Sequence, residues 1–151
     1  RKWKKSKETF HHWINQLTYT EHQKEQWSDS VNTLYGEKNI PKNYSEEKAR
    51  NLSRFIPGAG HTYTGHFWEG LESFLFNAAM LGVGIHQIWT GYYFTAYIAG
   101  LGIFYKFYFG GMERSAHLAK IERGNEMALF NEQTSKLVQK ILVNEKNSKV
   151  P

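Results

Sequence analysis

Four side chains able to bind a metal or move a proton lie close together in the chain: His61, His66, Glu69 and Glu72, with His86 further on. Residues three apart share a helix face, so His66 and Glu69 fall within reach of one ion, and His61 joins them if it folds back from a preceding loop. Such a set would hold a divalent cation. The plainer reading needs only local geometry: histidines at a polar boundary bonded to water or backbone, and carboxylates offsetting the positive end of a helix dipole. We adopt the plainer reading, with no cofactor, and keep a divalent metal on His61, His66 and Glu69 as the alternative. His86 as a haem ligand lacks a histidine mate in the next apolar segment. No Ser-His-Asp or paired-acid arrangement can be placed in a common pocket, so no catalytic residues are assigned and the chain reads as a non-enzyme. The 151 residues contain no cysteine, which excludes disulfides, a thiolate nucleophile and Cys-ligated zinc or iron–sulfur clusters.

The elements that would carry these residues are set by an uneven distribution of apolar side chains. Averaged over the chain, the hydrophobic fraction of 40% suggests a water-soluble protein. The apolar and aromatic residues nevertheless concentrate in the middle third, and Lys, Glu, Gln and Asn in the two ends. From Leu71 to Trp89 only Glu72 is charged, and from Tyr92 to Gly111 only Lys106. At roughly 1.5 Å per residue each stretch approaches the roughly 30 Å of a hydrocarbon core. Thr90-Gly91 permits a tight reversal between them. The expected fold is therefore all-α, a transmembrane or membrane-inserted helical hairpin flanked by amphipathic helices. A hairpin dipping into one leaflet is a second geometry, and a buried hairpin in a soluble bundle is the bland alternative. Trp68, Trp89, Tyr92, Lys106 and Tyr108 stand near the ends of the two runs, where amphipathic rings and a snorkelling ammonium anchor at headgroups. Small residues at four-residue spacing let helix backbones approach, so Ala78 with Gly82 and Ala96 with Gly100 are the expected packing faces. Asn77 should face protein, because an unpaired amide in hydrocarbon costs several kcal/mol, on the order of a lost hydrogen bond or more.

The flanks divide the chain into a polar helical segment at 1–44, the hairpin region at 45–124 and a C-terminal amphipathic helix with its tail at 125–151. In the first, Phe10, Trp13, Ile14 and Leu17 follow a helix period. Thr20 and Gln23 then form a capping box before a helix lined by Trp27, Val31 and Leu34. These two helices have the size of one helical-repeat unit, with no second copy at a fixed period. Ser45 with Glu46 and Glu47 predicts a helix start, and Pro57 its end. Gly124-Asn125 predicts a break, followed by a helix from about Glu126 to Asn144 with Phe130, Leu137, Val138, Ile141 and Leu142 on one side. The chain opens at Arg1 with no Met and no apolar leader stretch, which is compatible with removal of an upstream export signal or further domain.

Ahead of the hairpin stands Ile56-Pro57-Gly58-Ala59-Gly60-His61-Thr62-Tyr63-Thr64-Gly65-His66, a glycine-punctuated turn. No strand precedes it and its glycine spacing does not suit a dinucleotide fold. With Ser73-Phe74-Leu75-Phe76-Asn77 and Phe104 through Gly111, this stretch resembles a group of little-characterised bacterial membrane proteins best represented in the Bacteroidetes. That group has a Pro-Gly-x-Gly-x-x-Tyr-x-Gly motif leading into a two-transmembrane-helix hairpin. The matching positions here are Pro57, Gly58, Gly60, Tyr63 and Gly65; His61 stands where the group commonly has Gln. The resemblance covers roughly residues 52–120 and implies a membrane hairpin without a known reaction. The net charge of +5 suits an anionic partner, and lipid phosphate is favoured over nucleic acid even at the basic run Arg1 to Lys5. Lys and Arg flank the hairpin on both sides and are absent between Arg54 and Lys106, an asymmetry that puts both termini on the cytoplasmic side unless an export signal was removed. The expected role is a membrane-anchored accessory or structural subunit of a bacterial envelope complex. Lipid and other envelope subunits are its expected partners. A lipid-organising module is a further alternative.

Overall fold

The computed structural model describes residues 2–148; Arg1 of the basic run and the tail at 149–151 lie outside the described residues. The protein is all-helical, with no strand among the described residues. The helices are α1 (Lys2–Gln16), α2 (Glu21–Leu34), α3 (Glu46–Phe55), α4 (Ala59–Tyr63), α5 (Phe67–Trp89), α6 (Tyr93–Thr95), a π-helical segment (Ala96–Ile103) and α7 (Phe104–Ser148). Two compact units form, one of Arg1–Lys42 with Asn125–Pro151 and one of Asn43–Gly124. The long α7 supplies residues to both.

The first unit is built on Ile14, Tyr19, Val31, Tyr35, Phe130 and Ile141, with Phe10, Trp13, Leu17, Trp27, Leu34 and Leu137 packed around them. Each apolar side chain fully buried here contributes roughly 1.5–3 kcal/mol. The periodic faces of α1 and α2 thus bury against the C-terminal part of α7. Polar atoms carried into this core find partners. Tyr19 Oη donates to the Ile141 carbonyl, and Tyr35 Oη lies 2.8 Å from Ser6 Oγ. The Phe130 ring sits between Trp3 and Tyr35, edge-to-face at 4.8 and 5.3 Å. At the start of α2 the Thr20 amide donates to Gln23 Oε1 at 3.2 Å, the reciprocal half of a capping box.

In the second unit α3 begins where Ser45 Oγ accepts from the Lys48 amide at 3.3 Å, with Glu46 and Glu47 in the first turn. It stops two residues before Pro57. The buried residues of α5 are Gly70, Asn77 and Gly84, seven apart, so one narrow seam runs along the helix every two turns. Along this seam the chain returns antiparallel. A β-carbon on Gly84 would stand 3.0 Å from Gly100 Cα. Further down, the Phe76 and Phe107 rings are 4.3 Å apart, and Glu69 faces Arg114. The packing faces differ from those expected in one arm: Ala96 and Gly100 are buried, whereas Ala78 and Gly82 are exposed. The reason is phase, since positions 78 and 82 are rotated away from the 70, 77, 84 seam.

Two further expectations are corrected. The break at Gly124-Asn125 does not occur: both residues are helical within α7, because a helical glycine costs only about 1 kcal/mol and buried residues stand on both sides of it in the sequence, Ser115 to Ala119 and Phe130 to Ile141. Nor do Leu71–Trp89 and Tyr92–Gly111 form two spans: no helix among the described residues is long and apolar enough to cross a membrane. Glu72, Asn77, His86 and Gln87 dilute α5, and the return arm is split between α6, the π-helical segment and the first turns of α7.

Candidate functional site

The residues best placed for chemistry are gathered by the glycine motif. Gly58 caps α4 with φ of +88°, a conformation that costs other residues roughly 1–2 kcal/mol. Its position also has no room for a side chain, because a β-carbon would stand 1.9 Å from the Gly70 carbonyl oxygen. Gly60 is wedged in the same way, with Ala49 O, Ser53 Oγ and Ser115 Oγ each within 2.7 Å of where its β-carbon would be. The Gly60 amide donates to Ser53 Oγ at 3.0 Å, and Ser115 Oγ donates to Met112 O at 2.7 Å. Tyr63 closes the motif from outside: its hydroxyl accepts from the Ser45 amide at 3.3 Å, and Lys48 Nζ lies 4.9 Å from its ring centre. Gly65 takes φ of +91° in open space and turns the chain into α5. These contacts clamp α3, α4, α5 and α7 together and hold His61 inside.

His61 is 3% exposed and Asn77 is 2% exposed, and neither is fully bonded. Asn77 Nδ2 donates to Ser73 O at 2.7 Å, leaving Oδ1 without a donor, and His61 Nδ1 is likewise without a partner. An unmade bond at such depth costs roughly 1–3 kcal/mol. Both side chains line a cleft of about 380 Å³ together with Ser73, Lys106, Phe107, Gly110, Gly111 and Arg114. Burial pushes the His61 pKa below its ordinary value; the nearby Arg114 and His66 push it the same way, and Glu69 opposes them. The imidazole therefore enters the cleft uncharged. Arg114 is paired with Glu69 at 3.4 Å, whereas Lys106 makes no ion pair among the described residues.

The expected metal set is not assembled. Among the described residues no group of three or more His, Cys, Asp or Glu could hold a metal ion. His66 Nε2 lies 3.9 Å from Glu122 and its Nδ1 is 3.3 Å from Thr64 Oγ1, while Glu69 is taken by Arg114. Of the expected anchors, Trp68 and Trp89 are the most exposed of the tryptophans at 73% and 88%, and Tyr92 and Lys106 are exposed as well. Tyr108 is partly buried instead, its hydroxyl donating to Arg54 O at 2.5 Å and tying α7 to the end of α3. Ser53 and Ser115 carry no signal in the sequence, whereas Ser73 falls inside the stretch that carries the family resemblance and Arg114 among the cations that flank the hairpin. The seven-residue interval from Gly70 to Asn77 to Gly84 is the available signal for the seam, whereas nothing in the order of residues marks Ser53 or Ser115.

The second unit is thus a glycine-clamped helical cluster with a buried, half-bonded His–Asn pair opening on a cationic cleft. Comparison with known protein families, curated proteins and solved structures found no match.

Proposed function

We propose that this protein is a non-catalytic, membrane-anchored accessory or structural subunit of a bacterial envelope complex, held by a helical hairpin of α5 and the returning chain that dips into one leaflet. The observation that carries this reading is the apolar surface exposed along both arms. It includes Phe74, Leu75, Ile85, Ile88, Trp89, Phe94, Tyr97, Ile98, Leu101 and Tyr105, with Phe94 at 78% exposure. Large aromatic side chains present about 150–250 Å² each, so the five aromatics among these residues at half exposure come to roughly 400–600 Å² before the five aliphatic side chains are added. A monomer in water rarely shows more than a few hundred. Acyl chains are the solvent that makes such a surface inexpensive. The depth follows from length, since the apolar part of α5 from Phe74 to Trp89 measures roughly 22 Å at 1.5 Å per residue, less than the roughly 30 Å of a full hydrocarbon core.

The polar interior of the seam supports the same arrangement. Asn77 and the two close-packed glycines, Gly84 and Gly100, face protein, so the arms need no water between them. The envelope setting and the protein partner rest on the likeness of the Pro57–Gly65 motif to the bacterial group described above.

Fractionation of cells making the full chain tests the reading. The protein should sediment with membranes, resist extraction by alkaline carbonate and enter detergent micelles, and crosslinking in native membranes should join it to a distinct envelope protein. A folded chain that stays in the supernatant without detergent would overturn it.

A further inference from the structure

The cleft between α5 and the start of α7 has features that membrane anchoring alone does not require. It holds two polar side chains buried beyond nine-tenths, Asn77 and His61, each with an atom left without a partner. It is lined by two cations, Lys106 and Arg114, two turns apart on α7. Between those cations stand Gly110 and Gly111, which carry no side chain, and a β-carbon added at Gly110 would meet nothing within 4 Å. The volume of about 380 Å³ falls within the roughly 300–1,000 Å³ of small-molecule sites.

The chemistry of the lining specifies the occupant. Lys106 and Arg114 offer charge-assisted donors to an anion from α7, and Ser73 adds a hydroxyl from α5. Asn77 Oδ1 can only accept, so the ligand must bring an O–H or N–H to it. His61 Nδ1, on a neutral ring, either donates to or accepts from the same kind of group. A hydroxyl meets both needs, whereas a phosphate ester without a hydroxyl brings no donor to Asn77 Oδ1 and a quaternary ammonium has no hydrogen-bonding group for either atom. We infer that this cleft binds a glycerol-phosphate group, the phosphate on Lys106 and Arg114 and the glycerol hydroxyls on Asn77 Oδ1 and His61 Nδ1. Its source is an anionic phospholipid headgroup, an assignment that rests on the membrane-anchored reading above. Phe107 lines the cleft and its ring lies 4.3 Å from that of Phe76 on α5, an apolar contact along which acyl chains would continue from the headgroup.

The test uses the full chain in mild detergent, with thermal stabilisation on titration and the lipid retained in native mass spectrometry as readouts. Phosphatidylglycerol should stabilise saturably and be retained, with phosphatidylcholine at least about tenfold weaker. Lys106→Gln, an exposed position, and Gly110→Leu, which fills the cleft, should each weaken phosphatidylglycerol by about tenfold or more while leaving the ligand-free melting temperature close to that of the parent. Equal binding of the two lipids, or unchanged binding by both variants, overturns the inference. Soluble glycerol 3-phosphate separates the sources. Binding as strong as that of the lipid, and equally sensitive to Lys106→Gln, upholds the glycerol-phosphate site but overturns its lipid origin. Sedimentation with vesicles of phosphatidylcholine alone is the separate check on membrane anchoring. A chain that sediments with them yet shows no preference for the glycerol headgroup leaves the anchor standing and refutes the site.

Discussion

Gly58→Ala and Gly65→Ala form a matched pair, because both residues hold a positive φ, +88° and +91°, and differ only in what surrounds them. The left-handed conformation costs an alanine roughly 1–2 kcal/mol, and the loss of unfolded-state freedom on leaving glycine offsets roughly 0.4–1 kcal/mol of that. Gly65→Ala, with nothing within 4 Å of the added carbon, should therefore cost about 1 kcal/mol or less. At Gly58 the added carbon would stand 1.9 Å from the Gly70 carbonyl oxygen and 2.7 Å from its carbonyl carbon, both backbone atoms. Ordinary contact requires α4 and the first turns of α5 to separate by more than an ångström, and overpacking of that kind adds about 1–3 kcal/mol. The two variants should thus differ by about 1–3 kcal/mol, or roughly 2–12 °C in Tm for a chain of this size. Thermal melts followed by circular dichroism in mild detergent give the first readout. Amide hydrogen exchange across α4 and the start of α5 shows whether the loss is local to the clamp. Equal destabilisation by the two substitutions would refute the reasoning, because it would mean that backbone strain alone sets the cost and the Gly58–Gly70 approach contributes nothing.

His61 has its pKa lowered, chiefly by burial, so the unfolded chain binds its proton more readily than the folded one; its stabilising effect is complete above the ordinary histidine value of about 6.5 and is lost as pH falls through and below it. Denaturant midpoints should decline from pH 7 toward pH 5, and His61→Gln, which does not titrate, should flatten that part of the profile; an unchanged slope would remove His61 from the account. Gly84→Ile inserts a branched side chain 3.0 Å from Gly100 Cα and should force the arms apart, seen as a longer spin-label distance between α5 and the π-helical segment, whereas the same change at exposed Gly82 should leave that distance alone. Ile141→Ala empties a fully buried site in the first unit and should cost about 2–5 kcal/mol, read as faster amide exchange in α1 and α2; protection equal to the parent would show that the cluster around Val31 and Phe130 closes without it.

Much of the helical content was legible in the order of residues, because the signals involved are local. Ser45 ahead of two glutamates starts α3, Thr20 with Gln23 starts α2, and the three- and four-residue spacing from Phe10 to Leu17 buries Ile14. The glycines of the Pro57–Gly65 motif were visible as a feature, though not what each one touches. Where the reading failed, a long-range contact outweighed a local cue. Gly124 with Asn125 has the residue types of a break, yet it lies inside α7, since packing on either side exceeds the propensity cost of a single glycine. Ala78 and Gly82 had the right spacing for a packing face but the wrong rotation about the helix axis, which is set by what lies across the seam.

The sequence by itself determined that the chain is helical, that its apolar side chains concentrate in the middle third, and that Gly58 and its neighbours turn sharply, because each of these depends on residue types within a turn or two. Only the tertiary structure decided that Asn77 and His61 share one cleft with Lys106 and Arg114, and that Glu69 pairs with Arg114 instead of joining His66. Those meetings join positions 16 to 53 residues apart, and nothing in the local chain specifies them. Close approach at residues without a β-carbon does.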